Sequence, residues 1–135
     1  MKTIAPLFLY FLTLINCQNS TAQQTLGLFT NSSQALEGYT LFSPHDSKTT
    51  FLVDNCGELI HSWESEYEPG LSDYLLENGV LLRAGRNPGP GGGSGVVEMI
   101  DWDGTVLWSH SVIETHGRQH HDIELLPNGN ILLIV

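Results

Sequence analysis

Leu75-Leu76-Glu77-Asn78-Gly79-Val80-Leu81-Leu82 and Leu125-Leu126-Pro127-Asn128-Gly129-Asn130-Ile131-Leu132 are two copies of one pattern: apolar run, Asn-Gly, apolar run. Asn-Gly accepts left-handed backbone at both central positions of a type I′ turn, so each copy reads as a β-hairpin. The offset between Asn78 and Asn128 is 50 residues. A second pattern, Asp-x-x-Gly-x-apolar-apolar-x-Ser, relates Asp54–Ser62 to Asp101–Ser109 at an offset of 47. The two hairpin types alternate along the chain. Two hairpins give four strands, and four short strands every ~40–50 residues is the spacing of a β-propeller blade.

Outward from these turns the strands are expected at Thr40–Phe42, Thr50–Asp54, Leu59–Trp63, Ser72–Leu76, Val80–Ala84, Val96–Asp101, Val106–His110, Asp122–Leu126 and Ile131–Val135. The Gly- and Pro-rich stretch from Gly85 to Gly95 reads as a loop; it lacks the Lys-Ser/Thr and the following helix of a phosphate cradle. No window carries an apolar stripe of helical period and length, and Gln34–Glu37 offers one short helical turn at most. The expected class is all-β, built from four-stranded antiparallel blades. The sequence reaches Val135 within an apolar strand, and two to three blades do not close a ring, so the blades read as the N-terminal part, residues 23–135, of an incomplete propeller domain.

The composition narrows function. The 135 residues carry 15 Asp+Glu against 5 Lys+Arg, a formal charge of −10. Phosphate backbones demand a basic surface, so nucleic acid is excluded as a partner. Lys2, followed by the apolar run Ile4–Ile15 and the small residues Ser20-Thr21-Ala22, reads as a signal peptide over 1–22 with cleavage before Gln23. The run is too short to span a bilayer, and no later stretch is longer. The chain is therefore expected to be exported, periplasmic or extracellular. The rival is a cell-surface lipoprotein: Leu14-Ile15-Asn16-Cys17 resembles a lipidation signal, although Asn16 is not the small residue usual before such a Cys. Cleavage at Ala22 leaves Cys56 alone, without an internal disulfide partner.

Positive charge is scarce, and it gathers in one place: His116, Arg118, His120 and His121 lie within six residues, just ahead of the strand Asp122–Leu126. In a propeller the first strand of a blade lines the central channel, so these side chains are expected near a ligand. Protonated His and Arg suit an anionic ester, and a neutral imidazole can attack as a nucleophile. Plainer alternatives stand beside this. His121 can cap the strand through Asp122, His120 can be a loop residue, and Arg118 can pair with Glu114 or Glu124. A zinc site at His116, His120, His121 and Asp122 is disfavoured, because adjacent strand residues point to opposite faces. Arg83 is a lesser candidate for the channel, and Trp63, Trp102 and Trp108 read as packing between blades or as turn covers, with carbohydrate stacking as the functional alternative.

Gly38-Tyr39-Thr40-Leu41-Phe42-Ser43-Pro44, Val53-Asp54-Asn55-Cys56-Gly57, Tyr74-Leu75-Leu76-Glu77-Asn78-Gly79, Asp101-Trp102-Asp103-Gly104 and above all His120-His121-Asp122-Ile123-Glu124-Leu125-Leu126-Pro127-Asn128-Gly129-Asn130 are together similar to bacterial aryl-sulfate sulfotransferases, over about residues 26–135. The opening segment is similar to that of secreted members from the Bacteroidetes. The resemblance implies a six-bladed propeller with its active site in the central channel. It implies sulfuryl transfer from an aryl sulfate to a phenol through a histidine, with no nucleotide donor, cofactor or metal. It makes His121 and His120 the candidate catalytic residues and Arg118 the candidate for binding sulfate oxygens. The family's later blades carry part of that site, so the 135 residues alone are expected to be inactive. The alternative is a non-catalytic secreted propeller that binds a ligand.

Overall fold

The computed structural model describes residues 27–88, 94–114 and 117–135. The segment expected to be a signal peptide, its expected cleavage site, Cys17 and His116 lie outside the described residues. The described chain is all-β, without a helix. None of it is helical, long and apolar enough to cross a membrane.

Strands β1 (Tyr39–Phe42), β2 (Thr49–Asp54) and β3 (Leu59–Glu64) form a three-stranded antiparallel sheet in chain order. Strands β4 (Glu68–Leu75), β5 (Leu81–Arg86), β6 (Gly95–Ile100) and β7 (Val106–Ser111) form a four-stranded antiparallel sheet, again in chain order. A two-residue pair, β8 (Ile113–Glu114) with β9 (Gly117–Arg118), leads to the hairpin β10 (Ile123–Leu125) and β11 (Ile131–Leu133). The expected strand pairs all form. The pair β8–β9 was too short to be legible. Gly85 and Gly95, expected in the loop, belong to β5 and β6 and narrow the connection to Asn87–Ser94.

The central strands β5 and β6 are buried on both faces, Arg83 and Glu98 included, whereas β7 is exposed throughout. Successive residues of a strand point to opposite sides. Leu81 and Ile100 meet Leu52 and Trp63 of the first sheet. Leu82, Ala84 and Val97 meet Ile123, Leu125, Ile131 and Leu133 of the last hairpin. Fully burying each large aliphatic chain of this kind contributes roughly 1.5–3 kcal/mol. Trp63 is 1% exposed and its indole N–H donates to the Asp101 carbonyl of the next sheet at 3.1 Å, so it packs between sheets as expected. Trp102 stands perpendicular to Trp63 and stacks on His61.

Four hairpin turns share one geometry. In each, the glycine N–H donates to the carbonyl three residues back: Gly57 to Asp54, Gly79 to Leu76, Gly104 to Asp101 and Gly129 to Leu126. The residue that accepts also donates its own N–H to the carbonyl just beyond the glycine. The glycines lie at φ of 77°, 84°, 88° and 83°, whereas Asn78 and Asn128 are not left-handed. This is a type I turn closed by a left-handed glycine bulge, not the type I′ turn expected from Asn-Gly. Side-chain acceptors support this geometry: in the first turn the Asp54 carboxylate accepts from the Cys56 and Glu58 N–H groups, and in the other three the acceptor is the residue before the glycine. Asn78, Asp103 and Asn128 each accept the N–H two residues ahead, at 3.2, 3.0 and 3.0 Å, which holds that residue right-handed and leaves the glycine to turn the chain.

Candidate functional site

The chain into the histidine cluster is pinned on each side. Gln119 is fully buried; its N–H donates to the Val112 carbonyl, and its side-chain carbonyl accepts from Gly95. The His120 N–H donates to the Ile134 carbonyl at 3.0 Å. The Asp122 N–H then turns back to the His120 carbonyl at 3.0 Å, with His121 between them at φ 65°. A hydrogen bond from i+2 to i around a left-handed centre is a γ-turn, a strained conformation for a residue with a Cβ.

Only one other described non-glycine residue is left-handed: Leu71, at φ 84°. It lies in β4 where the register with β5 shifts between Pro69 and Asp73. Leu71 and His121 are separated by the same 50 residues as Asn78 and Asn128. The unusual backbone therefore belongs to the repeat and recurs at one position ahead of the hairpin. Both residues line the same cleft, of about 400 Å³, together with Ser72, Asp73, Tyr74 and Asp122. An adjoining cleft of about 340 Å³ shares Leu71 and Asp73 and runs on to Pro69, Leu41, Ser43 and His45. Each volume falls in the range of small-molecule sites, roughly 300–1,000 Å³.

The structure brings His120 and His121 together. Their Nδ1 atoms lie 2.8 Å apart with the rings nearly perpendicular. Asp122 does not bond His121, as the capping alternative required. Its carboxylate accepts from the Tyr74 hydroxyl at 2.7 Å and from the Ile123 N–H at 2.9 Å. Arg118 makes no ion pair with Glu124 among the described residues; its Nη1 donates to the carbonyls of Asn87, at 2.8 Å, and Ser94, at 3.4 Å, tying together the two ends of the Gly-rich connection. Arg83 is buried within the four-stranded sheet between Asp73 and Glu98. No three His, Cys, Asp or Glu side chains among the described residues converge as a metal site requires.

Sequence reasoning passed over Tyr74, Ser72 and Asp73. Ser72 is 8% exposed and its hydroxyl has no hydrogen-bond partner at the cleft wall. The Tyr74–Asp122 bond links the first strands of successive sheets. The hydrogen bond Asp122 accepts from Tyr74 lowers the Asp122 pKa, and that same bond, with burial second, raises the Tyr74 pKa. The signs fix a pH window. The lowered carboxyl contributes stability above the ordinary carboxylate pKa, and this is lost as pH falls through the folded value. The raised phenol contributes below the ordinary tyrosine pKa, and this is lost as pH rises through the folded value. Asp122→Asn is expected to return the Tyr74 phenolate transition toward its ordinary pH, read by ultraviolet absorbance. An unchanged transition would remove this bond as the cause.

No protein-family model matches the chain, and no curated protein matches it in sequence at a significant level.

Proposed function

We propose that the protein is an exported enzyme of the aryl-sulfate sulfotransferase type, its sheets arranged as blades of a six-bladed propeller and its cleft at Leu71, Tyr74, His121 and Asp122 belonging to the channel. The observation that carries the reading is the repeat equivalence of Leu71 and His121. Successive sheets deliver the same strained position to one cleft, as blades around a shared axis do. In the second copy that position holds an imidazole, with another beside it.

The chemistry suits an aryl sulfate donor and a phenolic acceptor. A bare imidazole nitrogen attacks sulfur, the S–O bond to the aryl group breaks, and the phenolate leaves. The acceptor phenol then loses its proton and takes the sulfuryl group from nitrogen. His121 and His120 serve this as donors to the sulfate oxygens or as proton carriers. Arg118 offers Nε and Nη2, which make no hydrogen bond among the described residues, to the same oxygens. Segment 1–22 directs export. One observation favours the non-catalytic binding module instead: the cleft carries the acidic side chains of Asp73 and Asp122, which oppose an anion.

The test is to incubate the natural secreted gene product with 4-nitrophenyl sulfate and phenol. Phenol-dependent release of nitrophenolate, with phenyl sulfate seen by mass spectrometry, is expected. Absence of both from correctly folded protein would leave the binding module.

A further inference from the structure

We infer that Tyr74 is a positioning residue: through Asp122 it holds the turn that locks His120 and His121 into one proton-sharing pair, so that the site acts as a two-imidazole relay. This deepens the reading above and rests on it only for the identity of the reacting groups.

The geometry of the pair imposes the first step. Two nitrogen lone pairs do not face each other at 2.8 Å, so one proton lies between the Nδ1 atoms. One ring is thus the Nδ1–H tautomer and the other the Nε2–H tautomer. A neutral imidazole carries one N–H, so the neutral pair presents one bare Nε2 and one Nε2–H outward. Neither Nε2 makes a hydrogen bond among the described residues. A single pair thereby holds a base and an acid at once, which isolated histidines do only by changing protonation state.

The relay balances. In one state His121 Nδ1–H donates to His120, and His121 Nε2 is bare. A proton taken from a hydroxyl in the cleft at His121 Nε2 makes that ring cationic. Its Nδ1 proton then crosses to His120 Nδ1, and His120 releases its Nε2 proton to a leaving oxygen or to water. The pair ends with as many protons as it began, its hydrogen bond reversed.

The pair needs its turn. His121 is left-handed, a conformation disfavoured for a residue with a Cβ. Relaxation there would swing the imidazole away from His120. The turn closes at Asp122, and the Asp122 carboxylate is held from the other sheet by the Tyr74 hydroxyl, 48 residues earlier in the chain. Removing that hydroxyl cuts the only side-chain bond from β4 to the turn among the described residues.

Nitrogen-15 NMR of the uniformly labelled protein, above the pH range of histidine titration, tests both halves. In wild type a coupling across the hydrogen bond is expected between the two Nδ1 nuclei, with one ring in each tautomer. Tyr74→Phe, whose ring keeps its packing, is expected to lose the coupling and return both rings to the Nε2–H form while the amide spectrum of β5 and β6 is unchanged. Wild-type rings without coupling would overturn the pair, and coupling that survives in Tyr74→Phe would overturn the positioning role. These readouts need no substrate. Coupling that behaves as expected in a protein without sulfuryl transfer would fail the functional reading and keep the relay.

Discussion

Glu98→Ala is expected to destabilise the protein by ~3–5 kcal/mol, the range for removing one partner of a buried ion pair. Asp73, Arg83 and Glu98 lie directly opposite one another on β4, β5 and β6, forming a row of charge across the four-stranded sheet. Arg83 is fully buried and Glu98 is 3% exposed. The guanidinium sits 3.3 Å from the Glu98 carboxylate and 3.6 Å from that of Asp73, and it donates to the Tyr67 carbonyl at 3.2 Å. Glu98 also accepts from the Ser65 hydroxyl at 2.7 Å. Without Glu98 the buried cation keeps the bond to the Tyr67 carbonyl and the longer contact with Asp73, and Ser65 loses its acceptor. The check is urea unfolding, with a lower midpoint and an unchanged slope. Arg83→Met combined with Glu98→Leu and Asp73→Leu is expected to recover most of the loss, because the apolar row has no charge to desolvate. A loss under ~1 kcal/mol for Glu98→Ala would mean that the Asp73 and Tyr67 contacts satisfy Arg83 unaided.

The same row shows why this residue was hard to place from sequence. Arg83 is a cation set among Leu, Ala and Gly on β5, and a channel position and a buried pair leave the same local pattern. Only the register, which sets Asp73 and Glu98 beside it, decides between them. The hairpins were legible because each rests on a local signal, a glycine that must be left-handed between two apolar runs. The turn type was not, because it depends on side-chain hydrogen bonds to N–H groups of the turn, from Asn78, Asp103 and Asn128 before the glycine and from Asp54 in the first turn. Gly85 was misread as a loop residue for a related reason. A Cβ there would lie 2.9 Å from Cβ of Tyr67, so its glycine answers to packing over a strand, not to a break in one. The histidine cluster was legible as the one concentration of positive groups in an acidic chain. Its partner Tyr74 was not, since the contact spans two sheets. A signal for Leu71 did exist: carried nine residues further back than Val80, the 50-residue offset already aligns Leu71 with His121.

That alignment yields the other large effect. On the proposed function, His121→Ala in the natural gene product is expected to lower the rate of sulfuryl transfer ~10²–10³-fold, by analogy with loss of one oxyanion donor. Stability separates this from damage to the fold. Alanine keeps a Cβ in the left-handed region, whereas glycine enters it without penalty. His121→Gly is therefore expected to be more stable than His121→Ala by about 1 kcal/mol, yet equally impaired in transfer. Leu71→Gly supplies the comparison at the equivalent position, where the side chain lines the cleft but carries no polar group; it is expected to relieve the same strain and to lower transfer far less than His121→Gly. If His121→Ala and His121→Gly fold and keep wild-type rates, His121 does not serve transfer, and the left-handed residue ahead of each hairpin is a property of the repeat alone. If both lose activity while Leu71→Gly loses far less, the repeat supplies the strained backbone and the imidazole placed on it supplies the function, at a cost in stability that glycine would remove.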